Sequence, residues 1–545
     1  MKLKLSDHRR KATFALSALA LAFWGAAMPS ALAAERITLR LGPLEQGIAI
    51  ADLDRFAKTG KLPSALQLYA PLLTPQVREV LNRRLQLDPN LADKLIDDVL
   101  RSPPGKQLID SLGVAIPNST VEQIQAAVSL AARQFNGLSV VGFLRAYPTE
   151  NVTVDASSAI ALALQFNPNY WQSQALGPLL EQELAVASDT EFKPAFDPAL
   201  RGPQTVQQQT LFLQDRQRHR TIPVDLYWSA NSQGPLVVTS HGFGASRKFF
   251  AYLARHLASH GFTVAALEHP ASNIKQLVSV LSVSNPSELL PATEFVDRPK
   301  DVSFVLDELA KLNQQPGPLQ GKLSTQQVSA IGHSLGGYTA LALAGAEVNL
   351  EQLRQFCKSS SAIGQAPGDW LQCAAADLPD RKLQMRDRRV VSAIALNPLV
   401  GNLFGKTGLT QVAIPILLLA GTEDAVTPAL NHQLRPFTQL RGSKYLLTAI
   451  GGTHLSISDP ANLASSATNS TVVKERRGEE TKSLRNLVQG VSLAFIKQTT
   501  PEAKTYKPFL TPAYAQSFST RELPLRLNTE LPASILPWID LMVKP

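Results

Sequence analysis

Ser334 stands in Gly332-His333-Ser334-Leu335-Gly336-Gly337, after the apolar run Val328-Ser329-Ala330-Ile331 and before the helix-prone Tyr338 to Ala344. A serine flanked by small residues at a strand-to-helix turn could be a nucleophile: the turn lifts its hydroxyl clear, and the helix N-terminus behind it favours an oxyanion. A hydroxyl is a poor nucleophile at neutral pH and needs a base that is oriented by an acid. Asp424 follows the apolar segment Ile414 to Ala420 in Gly421-Thr422-Glu423-Asp424, and His454 closes Gly451-Gly452-Thr453-His454 after Tyr445 to Ile450. Both fall in loops at the ends of strand-like runs. Another such run, Leu236 to Thr239, enters Ser240-His241-Gly242-Phe243-Gly244. The backbone N–H groups of Phe243 and Leu335 are candidates for an oxyanion hole binding a tetrahedral intermediate. The chemistry this set could perform is acyl transfer through Ser334, with His454 as base and Asp424 as the acid that orients it.

Plainer readings exist for each residue. A lone Gly-x-Ser-x-Gly is weak evidence. Asp424 could cap a helix beginning near Pro428, with Glu423 beside it as the orienting acid, and His454 could be an ordinary loop histidine. Gly242-x-Gly244 after a strand also resembles the start of a dinucleotide-binding loop, but Arg247 stands where that loop needs its third glycine. The placement of four motifs, each at the end of its own strand-like run, favours the catalytic reading.

Those runs alternate with helical segments such as Arg247 to His260 and Pro299 to Leu312. Short, fully apolar, often β-branched strands separated by helices predict a mostly parallel, doubly wound sheet covered on both faces, an α/β fold. Thr205 to Leu213 and Thr221 to Trp228 read as a hairpin ahead of it. Upstream, the spacing predicts helices over 74–85 and 91–100, and Thr120 with Gln123 forms a capping-box signal for a third. The region 35–165 therefore reads as a mostly α-helical domain, with a proline-marked linker over 166–203. The catalytic domain is expected over 204–500, carrying an insertion at 346–386, and a proline-containing tail over 501–545 reads as extended chain on the surface.

Composition excludes much else. Of 545 residues 44% are hydrophobic and 18% charged, which is ordinary globular usage rather than disorder. The net charge of +9 draws heavily on Lys2, Lys4, Arg9, Arg10 and Lys11, and no dense basic block lies beside an aromatic platform, so nucleic-acid binding is not expected. Residues 1–33 read as a signal peptide, with a basic start, an apolar stretch from Ala12 to Ala27 and the small-residue site Ala31-Leu32-Ala33. The expected location is periplasmic or extracellular, with no membrane span in the mature chain. Cys357 and Cys373, the two cysteines present, then read as a disulfide, the alternative being two buried thiols.

The order Ser334, Asp424, His454 is the nucleophile-acid-base order of α/β-hydrolases. The region from about 205 to 500 resembles α/β-hydrolases of the platelet-activating-factor acetylhydrolase and dienelactone hydrolase type. The segments HGFGASR, EFVDRPKDVSFVLDEL and GHSLGGYTALALAGA resemble exported cyanobacterial members that carry an N-terminal helical domain of unknown function. The resemblance implies an α/β-hydrolase fold, a catalytic serine, and small-molecule or lipid esters as substrates, with no metal or organic cofactor. It names no protein partner for the N-terminal domain. One departure stands out: where the plasma acetylhydrolase carries its acid, this chain reads Leu396-Asn397-Pro398, so Asp424 one strand later must serve. A serine peptidase of the same fold and a catalytically silent binding protein are the alternatives. The insertion 346–386 would make a cap over the cleft, or else a surface excursion.

Overall fold

The computed structural model describes residues 34–41, 44–69, 112–134, 139–155, 168–186, 194–276, 290–359, 366–462 and 475–537, with isolated positions between them. The leader and the helices expected over 74–85 and 91–100 lie outside these residues, apart from Arg78, Leu81 and Asn82 in helical turns. The chain divides into two compact units, residues 1–162 and 163–545.

The first unit is not built from helices alone. Strand β1 (Arg36–Leu41) pairs antiparallel with β2 (Leu44–Ala49) and parallel with β3 (Asn151–Asp155). Arg-Ile-Thr-Leu-Arg-Leu alternates polar and apolar positions, the period of a half-buried strand, and Ile37 points into the core. Its pairing with β3 spans more than a hundred residues, so local sequence gives no hint of it. The helix Val121–Gln134 opens with the expected capping box: Gln123 N–H donates to Thr120 Oγ1 at 3.2 Å, and Thr120 N–H to Gln123 Oε1 at 3.0 Å.

The second unit is one nine-stranded sheet. Its strands are β4 (Val206–Asp215), β5 (Arg220–Ser229), β6 (Leu236–Ser240), β7 (Val264–Leu267) and β8 (Val328–His333). After the short antiparallel pair β9 (Val348–Asn349) and β10 (Lys382–Leu383) come β11 (Val390–Leu396), β12 (Ile416–Gly421), β13 (Lys444–Ala449) and β14 (Leu525–Asn528). Across the sheet the order is β14-β13-β12-β11-β8-β6-β7-β5-β4. The six strands from β7 to β13 run parallel, and β4, β5 and β14 run against their neighbours. Separate apolar cores cover the two faces, which is why β6, β8 and β12 are buried at every position. The chain moves outward from β6 to β7, then returns to β8 on the other side. Helices on opposite faces therefore part at the carboxyl ends of β6 and β8, where open α/β sheets bind their ligands.

Two segments differ from expectation. The stretch 166–203, read as linker, contains the helix Pro168–Glu183, and Leu176, Leu180 and Leu184 bury in the main core. Pro178 inside that helix and the prolines after it hide it from periodicity. The tail 501–545 is not extended chain: it forms the helices Ala503–Tyr506 and Pro512–Ser517, then supplies edge strand β14. Pro512 occupies the first turn of its helix, where the missing N–H costs nothing.

In the insertion, the helices Leu350–Ser359 and Pro367–Cys373 are joined by a Cys357–Cys373 disulfide. Closing a loop of this size is worth about 3 kcal/mol by chain entropy. Replacing both cysteines by serine is expected to lower the stability of the second unit by about that amount in a denaturant titration, and reductant should have the same effect on the wild type.

Candidate active site

The local chain around Ser334 explains its place. Ser334 has φ +54° and ψ −119°, a conformation a serine rarely adopts, between β8 and the helix Leu335–Leu343. Its N–H donates to Leu396 O at 3.1 Å, while its carbonyl accepts from Tyr338 N–H at 3.1 Å and Leu399 N–H at 2.9 Å, so neighbouring β11 helps to hold the strain. A Cβ added at Gly332 would lie 1.9 Å from Gly336 O, and one at Gly336 would lie 2.0 Å from Ser240 O. The two glycines flanking the serine are demanded by close backbone approach. Gly336→Ala is accordingly expected to cost about 1–3 kcal/mol of stability through overpacking. By pushing β6 and the serine apart it should also lower ester turnover by on the order of 100-fold, measured on the folded fraction.

Asp424 and His454 meet directly. Asp424 Oδ2 accepts from His454 Nδ1 at 2.7 Å and from Thr427 Oγ1 at 2.9 Å. Its Oδ1 accepts from the N–H groups of Val426 at 2.8 Å and Thr427 at 2.7 Å. The carboxylate is fully buried and accepts from all four of these donors. Glu423 is turned toward Arg476, 3.8 Å away, and burial raises its carboxyl pKa. Asp424 is thus the carboxylate of this pair that touches the histidine. Because Nδ1 faces the carboxylate, Nδ1 carries the proton and Nε2 is the basic nitrogen. Burial by itself lowers the His454 pKa, but the Asp424 charge and hydrogen bond, with the Glu475 charge, outweigh it and leave it above 6.5.

The residue that precedes Ser334 packs against His454. His333 Nε2 lies 2.9 Å from the His454 carbonyl oxygen, and the two imidazole rings are 4.5 Å apart. The Ser334 hydroxyl makes no hydrogen bond among the described residues; catalytic bonds commonly tighten only when substrate arrives. From the other side, a Cβ at Gly242 would come within 3.2 Å of Ser334 Cβ, so the loop containing Phe243 runs directly against the serine. Leu335 is the first residue of its helix, and helix geometry leaves its N–H without an intrahelical acceptor.

Asn397 is the residue that sequence reasoning undervalued. It has φ +42°, and its Nδ2 donates to the carbonyls of Thr453 and His454 at 3.2 and 3.3 Å. Its Oδ1 accepts from Gly421 N–H at 3.2 Å, tying the end of β12 to the histidine loop. An amide donor therefore occupies the position at which the acetylhydrolase acid was sought. The Asn-Pro dipeptide at a strand end was the available signal, since asparagine tolerates the left-handed region.

The insertion reaches this site. Gly368 N–H donates to Val426 O at 2.8 Å, two residues from Asp424, and His432 Nε2 lies 3.2 Å from Asp369 Oδ1. Among the described residues no cluster of histidine, cysteine and acidic side chains could hold a metal ion, and no helix is long and apolar enough to cross a membrane.

Family comparison agrees with this architecture. Residues 33–155 match the family described as "Alpha/beta hydrolase of unknown function (DUF1400)", and residues 221–278 match "Platelet-activating factor acetylhydrolase, isoform II". The fold of the second unit is that of α/β-hydrolases. Part of it is similar to hydrolases of the platelet-activating-factor acetylhydrolase type. The acetylhydrolase of Cavia porcellus is 32% identical over 138 residues, that of Canis lupus familiaris 29% over 137, and that of Bos taurus 28% over 141. Each match takes in 20% of this chain and spans 31% of the relative's length. The second family match ends before Ser334 and includes none of Ser334, Asp424 and His454.

Proposed function

We propose that the chain is an exported serine hydrolase that cleaves carboxylic esters, small or lipid-like, without a cofactor. The observation that carries this reading is the Asp424–His454 pair, packed against the residue that precedes a serine held at positive φ at the strand-to-helix turn. Ser334 attacks the acyl carbon while His454 Nε2 takes its proton. Asp424 stabilises the imidazolium, and the N–H groups of Phe243 and Leu335 receive the developing oxyanion. The imidazolium then protonates the departing alkoxide, and water repeats the sequence on the acyl-enzyme. The likeness to acetylhydrolases supports an ester rather than an amide substrate, and the disulfide fits an oxidising compartment. Contact between Gly368 and the Asp424 loop supports the insertion as a cap over the cleft.

The test is hydrolysis of p-nitrophenyl esters of graded acyl length beside a panel of peptide amides. Turnover of esters, with amides untouched, is the expected result. Amide cleavage at comparable rate would favour the peptidase alternative, and turnover of neither would favour a silent binding protein.

A further inference from the structure

Behind the Ser240–Gly244 loop lies a buried polar cluster that the acyl-transfer steps do not use. Arg298, on the helix Glu294–Gln314, is fully buried. Its Nη2 donates to the His241 carbonyl at 2.7 Å and its Nε to Ser272 Oγ at 3.1 Å. Ser272 in turn donates its hydroxyl to Glu294, and its carbonyl accepts from Gly244 N–H at 2.9 Å. Burial pulls the Arg298 guanidinium down to about 10, so it remains a cation at neutral pH. A buried cation is costly unless its surroundings repay it. Here one of the groups it meets is a loop carbonyl at the candidate active site.

The histidine on that loop shows what the cluster does. His241 Nε2 accepts from His269 N–H at 3.0 Å, which leaves the ring proton on Nδ1. Nδ1–H then donates to Gly242 O at 2.7 Å. Burial, and the guanidinium 3.3 Å from Nδ1, keep this imidazole neutral. A trans peptide is planar, with its C=O and N–H opposed, and the described residues contain no cis bond. Anchoring the Gly242 carbonyl therefore fixes the direction of the Phe243 N–H, and Arg298 fixes the peptide before it.

We infer that Arg298 is a positioning residue for the oxyanion hole: through the His241 carbonyl and the neutral His241 ring it aims the Phe243 N–H at the substrate oxygen. The inference rests on the ester-hydrolase reading for its catalytic consequence, though not for its structural one. A misaimed donor weakens binding of the tetrahedral state while leaving ground-state binding alone. In Arg298→Lys the ammonium keeps the charge but loses the fork that reaches His241 and Ser272 together.

The experiment compares wild type, Arg298→Lys and Ser272→Ala, with concentrations set by fluorophosphonate titration of the active serine so that misfolded protein does not count. For Arg298→Lys, kcat per titrated site should fall about tenfold or more, and the Ki of an alkyl trifluoromethyl ketone should rise by the same factor, with KM within twofold of wild type. Ser272→Ala should show the same split at smaller size. Hydrogen exchange, read on the peptide spanning residues 241–246, should accelerate about tenfold in Arg298→Lys and little in the helix after Ser334, whether or not the chain turns over esters. Unchanged exchange in that loop, or Ki and KM rising together, would overturn the assignment.

Discussion

Ser334→Ala is expected to remove ester hydrolysis, lowering kcat by on the order of 10⁶-fold while the protein stays folded. The magnitude follows from what the hydroxyl does: without it no acyl-enzyme forms, and only binding and the oxyanion donors remain to assist water. The side chain itself contributes little to the fold. Ser334 is only 3% exposed, yet its architectural bonds are made by its backbone, to Leu396, Tyr338 and Leu399, and alanine keeps all three. Serine already carries the Cβ that makes this positive φ costly, so alanine adds no backbone strain of its own. Turnover of p-nitrophenyl acetate and butyrate, beside a thermal melt, checks both parts. Wild-type turnover in the mutant would remove the serine from the mechanism.

Asp424→Asn should lower kcat by about 10⁴-fold at neutral pH, because the amide no longer fixes the ring proton on Nδ1 or stabilises the imidazolium. Glu423→Gln should stay close to wild type, since Glu423 faces Arg476 rather than His454. The two variants separate the adjacent carboxylates that sequence alone leaves in competition. The pH dependence carries a sign. His454 works as a base only when neutral, and its pKa is raised, so wild-type kcat/KM should fall as pH drops through a value above 6.5. Removing the Asp424 charge leaves the lowering by burial less opposed, so the acid limb of the residual Asp424→Asn activity should move to lower pH. A limb that stays in place would mean that another group governs it.

The parallel sheet and the order of the motifs were legible because each active-site loop follows a run of buried aliphatic residues. Leu236–Ser240 and Val328–His333 extend the runs read from the sequence by one and two residues. What escaped was non-local. β3 finds its partner in β1 across more than a hundred residues of the first unit, and β14 finds its partner in β13 after some seventy intervening residues with several prolines. Asn397 was visible as a missing carboxylate, but its work is done by hydrogen bonds to backbone atoms of another loop, and backbone acceptors leave no signature in a sequence. The Arg298 cluster was hidden for a related reason. Arginine, serine and histidine in helix and loop read as surface residues until the fold closes over them.

The most direct test of the central claim is the mass of the folded chain after treatment with a fluorophosphonate, with the modified peptide sequenced. One adduct per chain, on Ser334, formed by the wild type and suppressed in His454→Ala, is the expected result. An adduct on a different residue, or labelling of Ser334 at an unchanged rate without His454, would contradict it.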